Sequence, residues 1–173
     1  MANYLKNKTN MKKLILSIVA LSAFGIASAQ DMKFGVKGGL DMVSVKAPGG
    51  SVSLTGFFVG GFAEFAIADK MVLQPGLNYH SATKSEAGVT YKATFLSVPV
   101  LLKYNVAEKI NLLGGPSLYY STDSEDSDKT RFNLDLGASY DITENFFVEP
   151  RYSIGLTGDA KVSHLLVGVG YKF

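Results

Sequence analysis

The side chains best suited to acid–base chemistry in this chain are its two histidines, His80 and His164, each with a serine beside it, Ser81 and Ser163. A hydrolase would align a serine or aspartate with one of these imidazoles. Both histidines lie in segments whose polarity alternates residue by residue, and adjacent strand residues point to opposite faces. Neither neighbouring serine is therefore aligned. The alternation turns both histidines inward, on opposite parts of a wall, as hydrogen-bonded fillers. The acidic run STDSEDSDKT at 121–130 holds Asp123, Glu125, Asp126 and Asp128, a density of hard oxygen donors that suits calcium. It lacks the ordered glycine and closing glutamate of a calcium loop and reads as a solvated loop tip. Glycine pairs at 38–39, 49–50, 60–61 and 114–115 have no strand–loop–helix context in which to cradle phosphate. The 173 residues include no cysteine, which excludes disulfides, thiolate zinc sites, catalytic thiols and lipoprotein acylation. The expectation is no catalytic residue, no metal, no cofactor and no enzyme activity.

The elements that would position such residues are strands. Apolar residues make up 47% of the chain and charged residues 18%, too hydrophobic and too sparsely charged for a disordered polypeptide. The length suits one domain. Basic residues exceed acidic ones by 17 to 15, but Lys6, Lys8, Lys12 and Lys13 precede every acid. Without those four, 13 basic face 15 acidic residues, and no basic patch for nucleic acid remains. Residues 11–30, MKKLILSIVALSAFGIASAQ, have the charged, apolar and A-x-A parts of a secretory signal. The expected division is a signal peptide over 1–29, with Met11 as a possible alternative start to Met1, and a domain over 30–173. The apolar stretch is too short for a comfortable membrane helix, which needs about 20 residues.

Three segments repeat one pattern: IADKMVLQP (67–75), VAEKINLLGGP (106–116) and ITENFFVEP (142–150). Each runs from a β-branched residue through a small and an acidic one into an apolar stretch that ends in proline, which reads as a repeated tight hairpin. Polar segments at 46–55, 83–90, 121–130 and 158–162 alternate with these turns and are expected as outer loops, with both chain ends on the opposite, periplasmic side. Eight strands are expected, near 33–43, 57–67, 71–81, 93–104, 110–120, 131–140, 146–156 and 164–173. Each alternates with period two. One face is apolar throughout, as in Val36, Leu40, Val59, Leu77, Leu102, Leu112, Leu136 and Val169. The other interleaves Lys37, Asp41, Glu64, Gln74, Asn78, Lys103, Asp135, Glu149, Arg151 and Lys172 with glycine.

A soluble barrel or sandwich would bury the apolar face. Two features favour the inverted arrangement. Glycine in strand interiors suits the crowded inner wall of a small barrel. The apolar face is also unbroken over all eight strands and gathers tyrosine and phenylalanine near strand ends, as in the aromatic girdle of a membrane barrel. The fold class expected is all-β, an eight-stranded antiparallel up-and-down transmembrane barrel. Its lumen is expected to hold an ion-pair network of Lys37, Glu64, Lys103, Asp135, Glu149 and Arg151, with Lys37 meeting Glu64 and Arg151 meeting Asp135 or Glu149. Phe58, Phe62, Phe95 and Phe147 share that face, and together these groups plug the barrel. Pro75, Pro99, Pro116 and Pro150 fall inside strands, where each removes a ladder donor; they read as bulges.

The stretches LQPGLNY, LSVPVLLKYNV, GGPSLYY, VEPRYSIGL and LLVGVGYKF, in that order and spacing, resemble the small outer-membrane β-barrels typical of Bacteroidetes, the PorT-like (outer membrane protein beta-barrel domain) family. The resemblance spans the whole domain. It implies the cell outer membrane of a Gram-negative bacterium, lipid and lipopolysaccharide as surroundings, and a monomer. It also implies that Val167, Val169, Tyr171 and Phe173 are a C-terminal signal read by the barrel assembly machinery. It does not fix an activity. A non-enzymatic structural or partner-binding role through short outer loops is the first expectation; a narrow passive pore for small solutes and an accessory of protein secretion are the alternatives.

Overall fold

In the computed structural model the residues described are 32–47, 50–86, 89–122, 129–158 and 160–173, with the side chains at 47 and 85–91 left aside. The expected signal peptide, the question of Met1 or Met11, and the four acids of 123–128 lie outside them. Eight strands form: β1 (Met32–Ala47), β2 (Gly50–Ala68), β3 (Met71–Glu86), β4 (Val89–Ala107), β5 (Ile110–Ser121), β6 (Thr130–Asp141), β7 (Phe146–Gly155) and β8 (Lys161–Lys172). They close in sequence order into one barrel, with β1 pairing antiparallel to β8 from Gly35↔Lys172 to Lys46↔Lys161. Closure removes every sheet edge, which a wall immersed in lipid requires.

The first four strands are longer than expected. β1 to β4 run 16, 19, 16 and 19 residues, whereas β5 to β8 run 12, 12, 10 and 12. The segments 46–55 and 83–90, expected as loops, are mostly ladder: pairing of β3 with β4 continues to Ser85↔Thr90 and Glu86↔Val89. Polarity misled there because a strand that rises above the bilayer is wet on its outer face and no longer needs apolar residues.

The prolines do not bulge. Register is unchanged across all four, but each interrupts the ladder toward the preceding strand. The β2–β3 ladder skips from Phe62↔Gly76 to Phe65↔Leu73 around Pro75, and β3–β4 skips from Pro75↔Val100 to Asn78↔Ser97 around Pro99. Likewise β4–β5 skips from Pro99↔Ser117 to Leu102↔Gly114 around Pro116, and β6–β7 from Gly137↔Arg151 to Tyr140↔Val148 around Pro150. On the following strand each proline is paired, as Pro116↔Leu134 and Pro150↔Val167 show. The missing N–H accounts for this one-sided loss. The bulges sit instead between Ala66 and Ala68 and between Asn105 and Ala107, so Ile67 and Val106, the β-branched residues that open the first two repeats, are the extra residues. A bulge adds local twist just before the two-residue turns at 69–70 and 108–109.

The faces divide as the alternation requires. Phe34, Val36, Leu40, Phe57, Val59, Leu77, Leu112, Phe132, Leu136, Phe146 and Val169 are exposed on the outer wall. So large an apolar surface marks a wall that meets lipid. Lys37, Asp41, Glu64, Gln74, Asn78, Lys103, Asp135, Glu149, Arg151 and Lys172 point inward and are buried.

Candidate functional site

The lumen holds the chemistry, in layers. Nearest the short-turn rim, polar side chains make a continuous belt. Lys103 Nζ donates to Glu64 Oε1 at 2.9 Å, and Gln74 Nε2 donates to the same oxygen at 3.0 Å. Lys37 Nζ donates to Gln74 Oε1 at 3.2 Å and to Glu149 Oε1 at 2.9 Å. Arg151 approaches Glu149 at 3.7 Å and Asp135 at 3.4 Å, and Asp135 Oδ1 accepts from Ser117 Oγ at 2.7 Å. The six residues expected as an ion-pair network thus converge, with one change of partner. Lys37 meets Glu149, not Glu64, because Gln74 occupies Glu64 from the β3 side and Lys103 reaches it from β4. The lumen is narrow enough for side chains from non-adjacent strands to meet, which adjacency along the chain does not show. Lys172 pairs with Asp141 at 2.9 Å.

Aromatic rings fill the space the belt encircles. Phe62 and Phe147 meet edge to face at 5.7 Å, with Lys37 over Phe62 at 5.3 Å and Lys103 and Lys172 over Phe147 at 5.8 and 5.7 Å, distances at which a cation is attracted to the ring face. Glycine makes room for these rings. A Cβ at Gly35 would collide with Phe62, one at Gly170 with Phe147, and one at Gly168 would meet Phe58 Cζ at 2.7 Å.

The middle layer is one that sequence reasoning missed. His80 and His164 come from β3 and β8, but both reach Asp41 on β1. His80 Nδ1 lies 2.8 Å from Asp41 Oδ2, and His164 Nδ1 lies 3.1 Å from each carboxylate oxygen. All three residues are fully buried, and their ligand atoms lie within 4.8 Å of one another. The histidines are hydrogen-bonded, but they stand together rather than on opposite parts of the wall: the two imidazole centroids are 5.5 Å apart. His80 Nε2 lies 2.9 Å from Ser97 Oγ, which accepts from Asn78 Nδ2 at 3.2 Å. A serine–histidine–aspartate relay is therefore present, built on Ser97 rather than on Ser81. Attack needs a substrate at the hydroxyl, and Ser97 is 1% exposed, so the relay holds the layer together. The signal for it was inward parity: Asp41, Asn78, His80, Ser97 and His164 all occupy the polar face.

Above this layer Val43, Leu54, Ala82, Phe95, Tyr119 and Val162 form an apolar cluster. Tyr119 stacks on His164 at 4.4 Å, Phe95 meets it edge-on at 5.5 Å, and Phe58 stacks on His80 at 5.9 Å.

A closed, eight-stranded antiparallel barrel that is apolar outside and polar within defines an outer-membrane β-barrel protein. A model of the outer membrane protein beta-barrel domain matches residues 14–173, and the chain belongs to that family. Its place is the outer membrane of a Gram-negative cell. The fold is similar to that of Ail, the attachment invasion locus protein of Yersinia pestis, with 18% identity, 83% of this chain and 100% of that chain covered, and a TM-score of 0.61. It is also similar to Neisserial surface protein A, with 16% identity, the same coverage and a TM-score of 0.57. No curated protein sequence matches the chain significantly.

Proposed function

We propose that the protein is a non-enzymatic outer-membrane barrel with a plugged lumen that acts, structurally or by binding a partner, through its outer rim. The observation that supports this reading is the succession of buried inward side chains, from the belt through the aromatic rings and the Asp41 layer to the apolar cluster. Among the described strand residues the outward-facing charges are Lys46, Lys92 and Lys161, all at the rim away from the short turns. Lys46 and Lys161 stand directly opposite in the β1–β8 ladder, where like charges repel. Phosphate groups of lipopolysaccharide would relieve that repulsion, and the short-turn rim, with both chain ends, would then face the periplasm. A monomer of the PorT-like subset fits the same reading, on the stretches that resemble it.

Planar-bilayer recordings of the purified protein test the plug. No steady conductance is expected, and stable ion-selective channels would overturn the plug in favour of a narrow pore. Val167, Val169 and Phe173 are exposed and Tyr171 half-buried, all on the outer wall, which suits an assembly signal. Phe173→Asp should lower outer-membrane levels several-fold; levels equal to wild type would remove that role.

A further inference from the structure

We infer that Asp41, His80 and His164 form a binding site for a divalent transition-metal ion of the zinc type. The full chain contains two histidines and no cysteine, and the fold brings both histidines to one carboxylate from three strands, β1, β3 and β8. Tetrahedral coordination at zinc–nitrogen and zinc–oxygen bond lengths sets ligand atoms about 3.3 Å apart. The two Nδ1 atoms already stand 2.8 and 3.1 Å from Asp41 Oδ2, so small displacements would admit an ion. His164 Nδ1 is equidistant from both carboxylate oxygens, so either oxygen can serve as the ligand beside it.

Charge points the same way. In the belt, Lys37, Lys103 and Arg151 offset Glu64, Asp135 and Glu149, while Lys172 is taken by Asp141. The ion-pair partners described for Asp41 are the imidazoles. A fully buried carboxylate needs a compensating cation. One imidazolium would suffice, yet two imidazoles converge on it.

The surroundings of His80 are those of a metal ligand, while Nε2 of His164 is buried without a described hydrogen-bond partner. A ligating histidine usually has its second ring nitrogen held by an outer partner, and Ser97, itself fixed by Asn78, holds Nε2 of His80. Phe58, Phe95 and Tyr119 pack on the two rings and exclude bulk water. Two nitrogens and one oxygen without sulfur suit zinc, nickel or copper rather than calcium or magnesium, with water completing the coordination.

The test uses the full chain without an affinity tag, refolded from denaturant into detergent with zinc and passed over a chelating resin. Elemental analysis should find about one zinc per folded chain. His164→Gln and Asp41→Asn should fold, by gel mobility and circular dichroism, and retain at least about tenfold less zinc. Copper(II) loaded into the wild type should give an electron-spin spectrum split by two imidazole nitrogens, a readout that needs no variant. Folded wild type that retains no stoichiometric metal, or metal that persists in both variants, would overturn the site and leave a proton as the cation facing Asp41. Neither result depends on whether the lumen conducts.

Discussion

The two halves of the lumen are filled by different physics. In the half near the short turns, Lys37, Glu64, Lys103, Asp135, Glu149 and Arg151 balance charge for charge around Phe62 and Phe147, and each carboxylate depends on a named partner. In the other half Phe95, Tyr119, Val43, Leu54, Ala82 and Val162 form an apolar filling, with the buried Arg131 opposite Tyr119 in the β5–β6 ladder, over a layer in which Asp41 meets only imidazoles among its described ion-pair partners. Removing one member should therefore have unequal effects. A truncated belt residue strands a buried charge, whereas a truncated apolar residue leaves a void that neighbours or water from the open rim partly fill.

The largest effect is expected from Arg151→Ala. Arg151 is 1% exposed and faces both Asp135 and Glu149, and breaking a buried pair by removing one partner costs about 3–5 kcal/mol. Urea titration of the refolded barrel, followed by gel mobility because the chain has no tryptophan, should show that loss; a cost under about 1 kcal/mol would mean that the belt is hydrated. Phe95→Ala comes next, at about 3 kcal/mol, the lower end for truncating a buried phenylalanine. A loss exceeding that of Arg151→Ala in the same titration would reverse the comparison. The smallest effect is expected from Pro116→Ala on the outer wall. It restores a donor toward β4 without changing register, and the stability should change by less than about 1 kcal/mol. A larger gain would show that the interrupted ladder is a substantial weakness.

Membrane residence and strand number were legible in the sequence because one period-two alternation governs both. Leu77 and Tyr79 outward, Asn78 and His80 inward, follow from parity alone once the apolar face is assigned to lipid. The identities of the lumen residues followed in the same way. Parity points Phe95 inward, but Leu54 falls in a segment expected as a loop and Ala82 beyond the expected end of its strand, because above the bilayer the outer face no longer alternates against them.

Who meets whom inside the barrel was decided only by closure. Sequence distance relates His80 to Ser81 and Lys37 to its neighbours in β2. Rolling eight tilted strands into a tube instead set Asp41 against residues 39 and 123 positions away, and Lys37 against Glu149, 112 positions away. Alternation selects a face; register and barrel diameter select a partner, and neither is encoded in any single strand. The prolines show the same division. That each lacks a donor is a property of the residue, but which neighbouring strand loses its pairing, and that register survives the loss, depends on the strands on either side.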